Sequence, residues 1–125
     1  MKKYKPCKIY CSGLDAAVDI IGGKWKPVIL WGLSTGPRRF RDLRRAIGSI
    51  SDKMLSQQLR ELETDCVVSR QDFHQVPPHV EYSLTPFGES LLRALGPLCD
   101  WGTEHMTRIG EMKAEASSAP AKGRP

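Results

Sequence analysis

Ser51-Asp52-Lys53-Met54-Leu55-Ser56-Gln57-Gln58-Leu59-Arg60-Glu61-Leu62-Glu63-Thr64-Asp65 is the stretch from which the rest of the chain can be read. Leu55, Leu59 and Leu62 recur at helical spacing and predict a helix that buries this side. Lys53, Ser56, Gln57 and Arg60 recur at i, i+3, i+4 and i+7 on the other. The start is well marked: Ser51 can cap the free N–H groups, Ile50 can staple onto Leu55, and Asp52 complements the positive end of the helix dipole. The outer residues are of the types that hydrogen-bond base edges and phosphates, whereas a solvated helix more often shows Glu/Lys pairs. An ordinary surface helix shares the amphipathic pattern, so the neighbouring segments decide between the two.

On the N-terminal side, Thr35-Gly36-Pro37 is a turn and Arg38-Arg39-Phe40 leads into a helix. Leu43, Ala46 and Ile47 are expected to face inward, and Arg41, Arg44 and Arg45 largely outward. Gly48-Ser49 closes this helix. Two short helices with a tight glycine-containing turn, the second bearing a polar reading face, form a helix-turn-helix pattern. Arg38, Arg41, Arg44 and Arg45 suit phosphate positioning, a solvated charged face being the alternative. Further upstream, Trp25, Val28, Ile29, Leu30, Trp31 and Leu33 are nearly continuous, which predicts a core helix buried on most sides. Pro27 fits only in its first turn, and Trp25 and Trp31 are expected to pack in the core. A short helix through Leu14, Ala17, Val18 and Ile21 precedes it, capped by Ser12 and ended by Gly22-Gly23.

On the C-terminal side, Val67 to Phe73 and Val80 to Leu84 form a hairpin, in which Val80, Tyr82 and Leu84 alternate with Glu81 and Ser83 as in a half-buried strand. Its tip is a wing stiffened by Pro77-Pro78, with His74 and His79 as polar loop residues that reach toward a nucleic-acid backbone. Thr85-Pro86 opens a long helix. There Leu91, Leu95, Leu98 and Gly102, with Trp101 and Met106 beside them, form a stripe longer than one small core covers. It reads as a homodimer interface, an intramolecular core being the alternative. The expected architecture is α+β, mainly α: a winged helix-turn-helix with a two- to three-stranded wing sheet and N- and C-terminal dimerisation helices. Residues 1–11 form a basic arm, 12–110 the domain, and 111–125, rich in Ala, Ser, Gly, Lys and Pro, a disordered tail.

The net charge of +5 and a pI of about 9.2 favour an anionic partner. The charge is concentrated: Arg38, Arg39, Arg41, Arg44, Arg45, Lys53 and Arg60 face only Asp42 and Asp52 between positions 38 and 60. No apolar run approaches the roughly 20 residues of a membrane span, and the N-terminus lacks the apolar segment of a signal peptide, so a cytoplasmic location is expected. There Cys7, Cys11, Cys66 and Cys99 are read as thiols. Their spacing supports no zinc site, two histidines near the wing are too few for a metal, and no cofactor or catalytic residue is implied. Cys66 and Cys99 are expected to serve packing.

Four strings, residues 16–31 (Ala-Ala-Val-Asp-Ile-Ile-Gly-Gly-Lys-Trp-Lys-Pro-Val-Ile-Leu-Trp), Phe40 to Leu43, Lys53 to Glu63, and Val76 to Thr85 (Val-Pro-Pro-His-Val-Glu-Tyr-Ser-Leu-Thr), closely resemble the HxlR-type winged helix-turn-helix transcription regulators, relatives of the MarR group. The resemblance covers about residues 11–106. It implies a homodimer on a palindromic double-stranded DNA operator, with Ser51, Lys53, Ser56, Gln57 and Arg60 at the recognition helix. It also aligns Cys11 with an N-terminal cysteine that several members use to sense electrophiles or oxidants; by its place in the arm, Cys7 is either the thiol that resolves an oxidised Cys11 or simply an exposed one. The chain departs from the pattern at Asp52, where Gln is frequent, at His79, where Arg is common, and in the early Pro27.

Cys11 also stands immediately before the cap of the first helix and three residues after Lys8, a cationic setting in which thiols react more readily. Two other function classes fit part of the sequence. A thiol redox protein would use Cys7 and Cys11, although no Cys-x-x-Cys or adjacent base supports it. A winged-helix interaction module would dock the arginine patch on an acidic protein surface, and affinity for duplex DNA separates it from a DNA-binding regulator.

Overall fold

The structure, a computed structural model, describes residues 10–118. Two compact units divide at Arg93 and Ala94. In chain order the elements are α1 (Gly13–Ile21), α2 (Trp25–Gly32), β1 (Arg38–Arg39), α3 (Phe40–Ile47), α4 (Asp52–Thr64), β2 (Val68–Asp72), β3 (Val80–Leu84) and α5 (Pro86–Ser118). A three-stranded antiparallel sheet runs in the order β1-β3-β2. The expected mainly helical winged helix-turn-helix is therefore what the chain forms.

In the first unit a core of Ile29, Leu30, Leu33, Leu43, Ile50, Leu55, Leu59, Leu62, Val67 and Val68 excludes water. Each helix gives it few residues: Ile29 and Leu30 from α2, Leu43 from α3, and the leucine stripe from α4. This corrects the expectation that α2 is buried on most sides. Trp31 is 57% exposed and Val28 is also exposed, because a two-turn helix turns only one stripe toward a core this small. Ala46 of α3 is likewise exposed, with Leu43 and the half-buried Ile47 taking the inward face. Pro27 lies in the first turn of α2, where its missing N–H costs nothing.

α1 begins as expected, with the Ser12 hydroxyl accepting from the Asp15 N–H, but none of its residues is buried. Leu14 and Val18 stand exposed one turn apart. Tyr10 donates to Asp19 at 2.7 Å, which ties the chain before the helix to its outer face and raises the phenol's pKa.

β3 occupies the centre of the sheet, so all five of its residues are half-buried and the expected alternation is lost. Ser69 and Ser83, opposite each other in the ladder, share a hydrogen bond at 3.2 Å. The sheet is locked to the start of α5 by Thr85, whose N–H donates to the Val67 carbonyl and whose hydroxyl donates to those of Cys66 and Val67. The same hydroxyl accepts from the Gly88 N–H and caps α5. Gly88 is buried there: a Cβ would lie 2.1 Å from the Val67 oxygen.

The second unit, within the described residues, is the part of α5 from Ala94 to Ser118. The helix continues through Pro97 and past position 110, which corrects the tail expected over 111–125: Met112, Lys113, Ala114, Glu115 and Ala116 are good helix formers and carry it on to Ser118. Residues 119–125 and most of the N-terminal arm, Cys7 and Lys8 included, lie outside the described residues.

Candidate nucleic-acid interface

Two devices fix the start of α4. At its start the Ser51 hydroxyl accepts from the Met54 N–H at 3.0 Å, as a cap should. Gly48, which ends α3, has φ +94°, a left-handed conformation that favours glycine and lets the chain turn sharply into α4. Burial of Leu55, Leu59 and Leu62 then leaves Lys53, Gln57 and Arg60 exposed, with Ser56 half-buried beside them.

The exposed face of α4 is tied to α2 by an ion pair. Lys26 of α2, with only 12% of its side chain exposed, donates to Glu61 of α4 at 2.6 Å. Hydrogen bonding from that ammonium holds the Glu61 carboxyl below the usual range, against a smaller opposing effect of burial. The other Glu61 oxygen accepts from the Gln57 amide at 3.5 Å, a long contact that biases the orientation of Gln57. Neither Lys26 nor Glu61 is marked in the sequence as a pair, because 35 residues separate them.

The four arginines expected on phosphates fall into three groups. Arg41 is exposed and, like Lys53 and Arg60, forms no ion pair among the described residues. Arg44 and Arg45 are also exposed but engaged, Arg44 Nε with Asp52 at 2.5 Å and Arg45 with Asp42 at 3.3 Å. Arg38 is half-buried in β1, opposite Tyr82. Its terminal nitrogen reaches Thr35 at 3.4 Å, while its Nε is buried with no partner among the described residues. Arg39, counted in the sequence only as part of the basic cluster, donates to the Pro78 carbonyl at 3.2 Å and so clasps the wing from the first strand.

The two wing histidines differ. His74, at φ +53°, is exposed, and Asp72 accepts its N–H at 2.8 Å. His79 is half-buried, with Nε2 2.8 Å from Glu81 and its ring 4.4 Å from that of Phe73. His79 thus builds the base of the wing, and His74 is the imidazole that solvent reaches.

Cys11 is exposed, one residue before the Ser12 cap, and its backbone N–H donates to Asp15 at 3.2 Å. Cys66 and Cys99 are exposed too, which corrects their reading as packing residues. Cys66 has φ +64° where α4 gives way to β2, so its side chain leaves the core that Val67 enters. Among the described residues no cluster of His, Cys, Asp and Glu could hold a metal, and no helix is long and apolar enough to cross a membrane.

On α5, Leu91, Leu95 and Gly102 are half-buried, whereas Leu98, Trp101 and Met106 are exposed, as is Met112 further along. The Trp101 ring stacks on His105 at 4.6 Å, and His105 Nδ1 lies 2.9 Å from the Trp101 carbonyl.

Residues 20–110 match the protein family described as HxlR-like helix-turn-helix. The HTH-type transcriptional regulator YtcD of Bacillus subtilis is 48% identical over 102 residues, 82% of this chain and 81% of that protein. Among solved structures, the redox regulator HypR in its reduced form has a TM-score of 0.74 at 42% identity, covering 80% of this chain and 99% of that one. Diamide-treated YodB from B. subtilis has a TM-score of 0.65 at 32% identity, covering 78% and 96%.

Proposed function

The chain belongs to the HxlR-like helix-turn-helix family of transcriptional regulators, which are not enzymes, and from that premise we propose that it acts as a homodimer on a palindromic DNA operator. The observation that carries this reading is α4 itself: its leucine stripe is buried while Lys53, Gln57 and Arg60 remain exposed beside the arginines of α3. In a helix-turn-helix the second helix enters the major groove and the preceding one crosses the backbone. Gln57 then offers an amide to adenine, Lys53 and Arg60 offer donors to guanine or phosphate, and Ser56 donates to either. Arg41 and Arg44 stand on the backbone side, and His74 at the wing.

The dimer accounts for the apolar surface the chain leaves open. Leu98, Trp101 and Met106 on α5, and Leu14 and Val18 on α1, are exposed in the single chain, and a second copy covers them. Selection from random duplexes tests the reading. An inverted repeat should emerge, with a slope of log affinity against log salt on the order of −5 to −9 for about three to five phosphate contacts per protomer. Recovery of no preferred duplex, or binding indifferent to salt, contradicts it.

The finer part of the proposal is that Cys11 makes the regulator responsive to an oxidant or a small electrophile. Its exposure beside the start of α1 supports this, as does the similarity to HypR, a protein named as a redox regulator. A bulky adduct or disulfide there alters the apolar α1 surface assigned to the dimer. Wild type should lose operator affinity after a quinone or diamide while Cys11→Ser keeps it. Full affinity of wild type with Cys11 shown to be modified overturns the switch.

A further inference from the structure

Asp52 is the first residue of α4, and its carboxylate sits 2.5 Å from Nε of Arg44 on α3, with the two side chains 75% and 45% exposed. The helix does not depend on this acid for its start, since Ser51 already supplies the capping oxygen. Its placement runs against the surrounding charge, because it lies at the end of the reading helix amid Arg41, Arg44, Arg45 and Lys53.

The first residues of a recognition helix approach base edges. A carboxylate at that point can only accept hydrogen bonds, so phosphate oxygens and the O6, N7 and O4 acceptors of guanine and thymine repel it. The cytosine N4 amino group is the base-edge donor that suits it, free of the N7 acceptor that accompanies the adenine amino group. The same carboxylate competes with phosphate for Arg44, since it engages Nε and offsets the charge of the guanidinium.

We propose that Asp52 is a specificity-determining residue that works by refusal. In the free protein it holds Arg44, withholding that cation from the phosphates of arbitrary DNA. On the operator it accepts from a cytosine amino group in each half-site, and Arg44 turns to the adjacent phosphate. The inference rests on the duplex-reading function proposed above and adds to it a residue that lowers affinity for the wrong sequence.

The test compares wild type, Asp52→Asn, Asp52→Glu, Arg44→Ala and the Asp52→Asn/Arg44→Ala double variant on the selected operator and on a scrambled duplex, by fluorescence anisotropy over a range of salt. Asp52→Asn should bind the scrambled duplex roughly five- to tenfold more tightly, with a salt slope steeper by about one per protomer. Its preference for the operator should shrink, and replacing the half-site cytosine should weaken wild type but not the variant. Asp52→Glu keeps the charge and should stay near wild type. Adding Arg44→Ala to Asp52→Asn should cancel the gain on scrambled DNA. The proposal is overturned, with the reading function intact, if wild type discriminates but Asp52→Asn leaves scrambled affinity and slope unchanged, or if the gain survives loss of Arg44. A wild type that binds neither duplex overturns both. Circular dichroism of each variant should match the wild-type helical content, which excludes unfolding as the cause of any change.

Discussion

Replacing Gly88 by Ala adds one methyl group at the joint between sheet and helix, and should disrupt the fold far more than its size suggests. The new Cβ would lie 2.1 Å from the Val67 carbonyl oxygen, where ordinary contact begins near 3.4 Å, so about 1.3 Å must be recovered by moving backbone. That oxygen is also the acceptor for the Thr85 N–H at 3.1 Å and its hydroxyl at 3.2 Å, and the Gly88 N–H donates to the same hydroxyl at 2.9 Å. Separating α5 from β2 therefore breaks the cap while it relieves the clash. Overpacking of this kind costs about 1–3 kcal/mol and loss of a cap about 1 kcal/mol more, together roughly 2–4 kcal/mol. In a chain of this length that lowers the melting temperature by about 6–20 °C. Gly110 is the control, a helical position where nothing lies within 4 Å of a new Cβ. Gly110→Ala should gain about 0.5–1 kcal/mol from helix propensity. Thermal unfolding at one fixed protein concentration gives the answer, since dimerisation makes the midpoint concentration-dependent. A Gly88→Ala midpoint within about 2 °C of wild type would refute the reasoning, because the joint would then be far more compliant than a packed interior is.

Glu61→Gln should destabilise the protein by about 1 kcal/mol at neutral pH, after allowance for the partial exposure of the pair. The folded Glu61 carboxyl is held below its unfolded value, so its contribution is complete above the unfolded pKa and disappears as pH falls through the folded one. Denaturant midpoints of wild type and variant should accordingly converge below about pH 4, and a constant gap down to pH 2 argues against this origin. Gln57→Ala and Lys53→Ala should relax base preference, by roughly 1–3 kcal/mol where a bidentate contact is lost, whereas Arg41→Ala should weaken all duplexes alike. Equal losses on operator and scrambled DNA for all three would remove that distinction. Leu98→Asp and Met106→Asp, each placing a carboxylate on the exposed α5 stripe, should give monomers that keep their helical content. Sedimentation of both variants as dimers would show that the interface lies elsewhere.

How far the sequence could be read depended on how local the cause was. Ser51, the leucine stripe of α4 and the cap at Ser12 are set by residues within one or two turns, and each formed where the pattern placed it. Trp31 and Val28 misled because apolar character states that a surface will be covered, not that the same chain covers it. The end of α5 misled because the overall composition of residues 111–125 conceals a first part, Met112 to Ala116, of high helix propensity. Glu81 and Ser83 alternate with apolar residues as on a half-buried strand, but the two-residue β1 makes β3 central and half-buries all five of its residues. On the outer face of α4, exposure of Lys53, Gln57 and Arg60 followed from periodicity, whereas the bracing pair Lys26–Glu61 and the clasp of Arg39 on Pro78 arise from chain crossings 35 and 39 residues apart. The hydrogen bond between His79 and Glu81 is local, the two standing at i, i+2 on either side of the start of β3, and that spacing could have suggested it.

Hydroxyl-radical footprinting of the wild-type protein on the selected operator bears most directly on the claim that paired α4 helices read DNA. Two equivalent protected zones should appear, centred about one helical turn, roughly 10 base pairs, apart and related by the operator's two-fold symmetry. Lys53→Ala and Gln57→Ala should weaken both zones together. A single unrepeated zone, or a pattern that those substitutions in α4 leave untouched, would contradict the account.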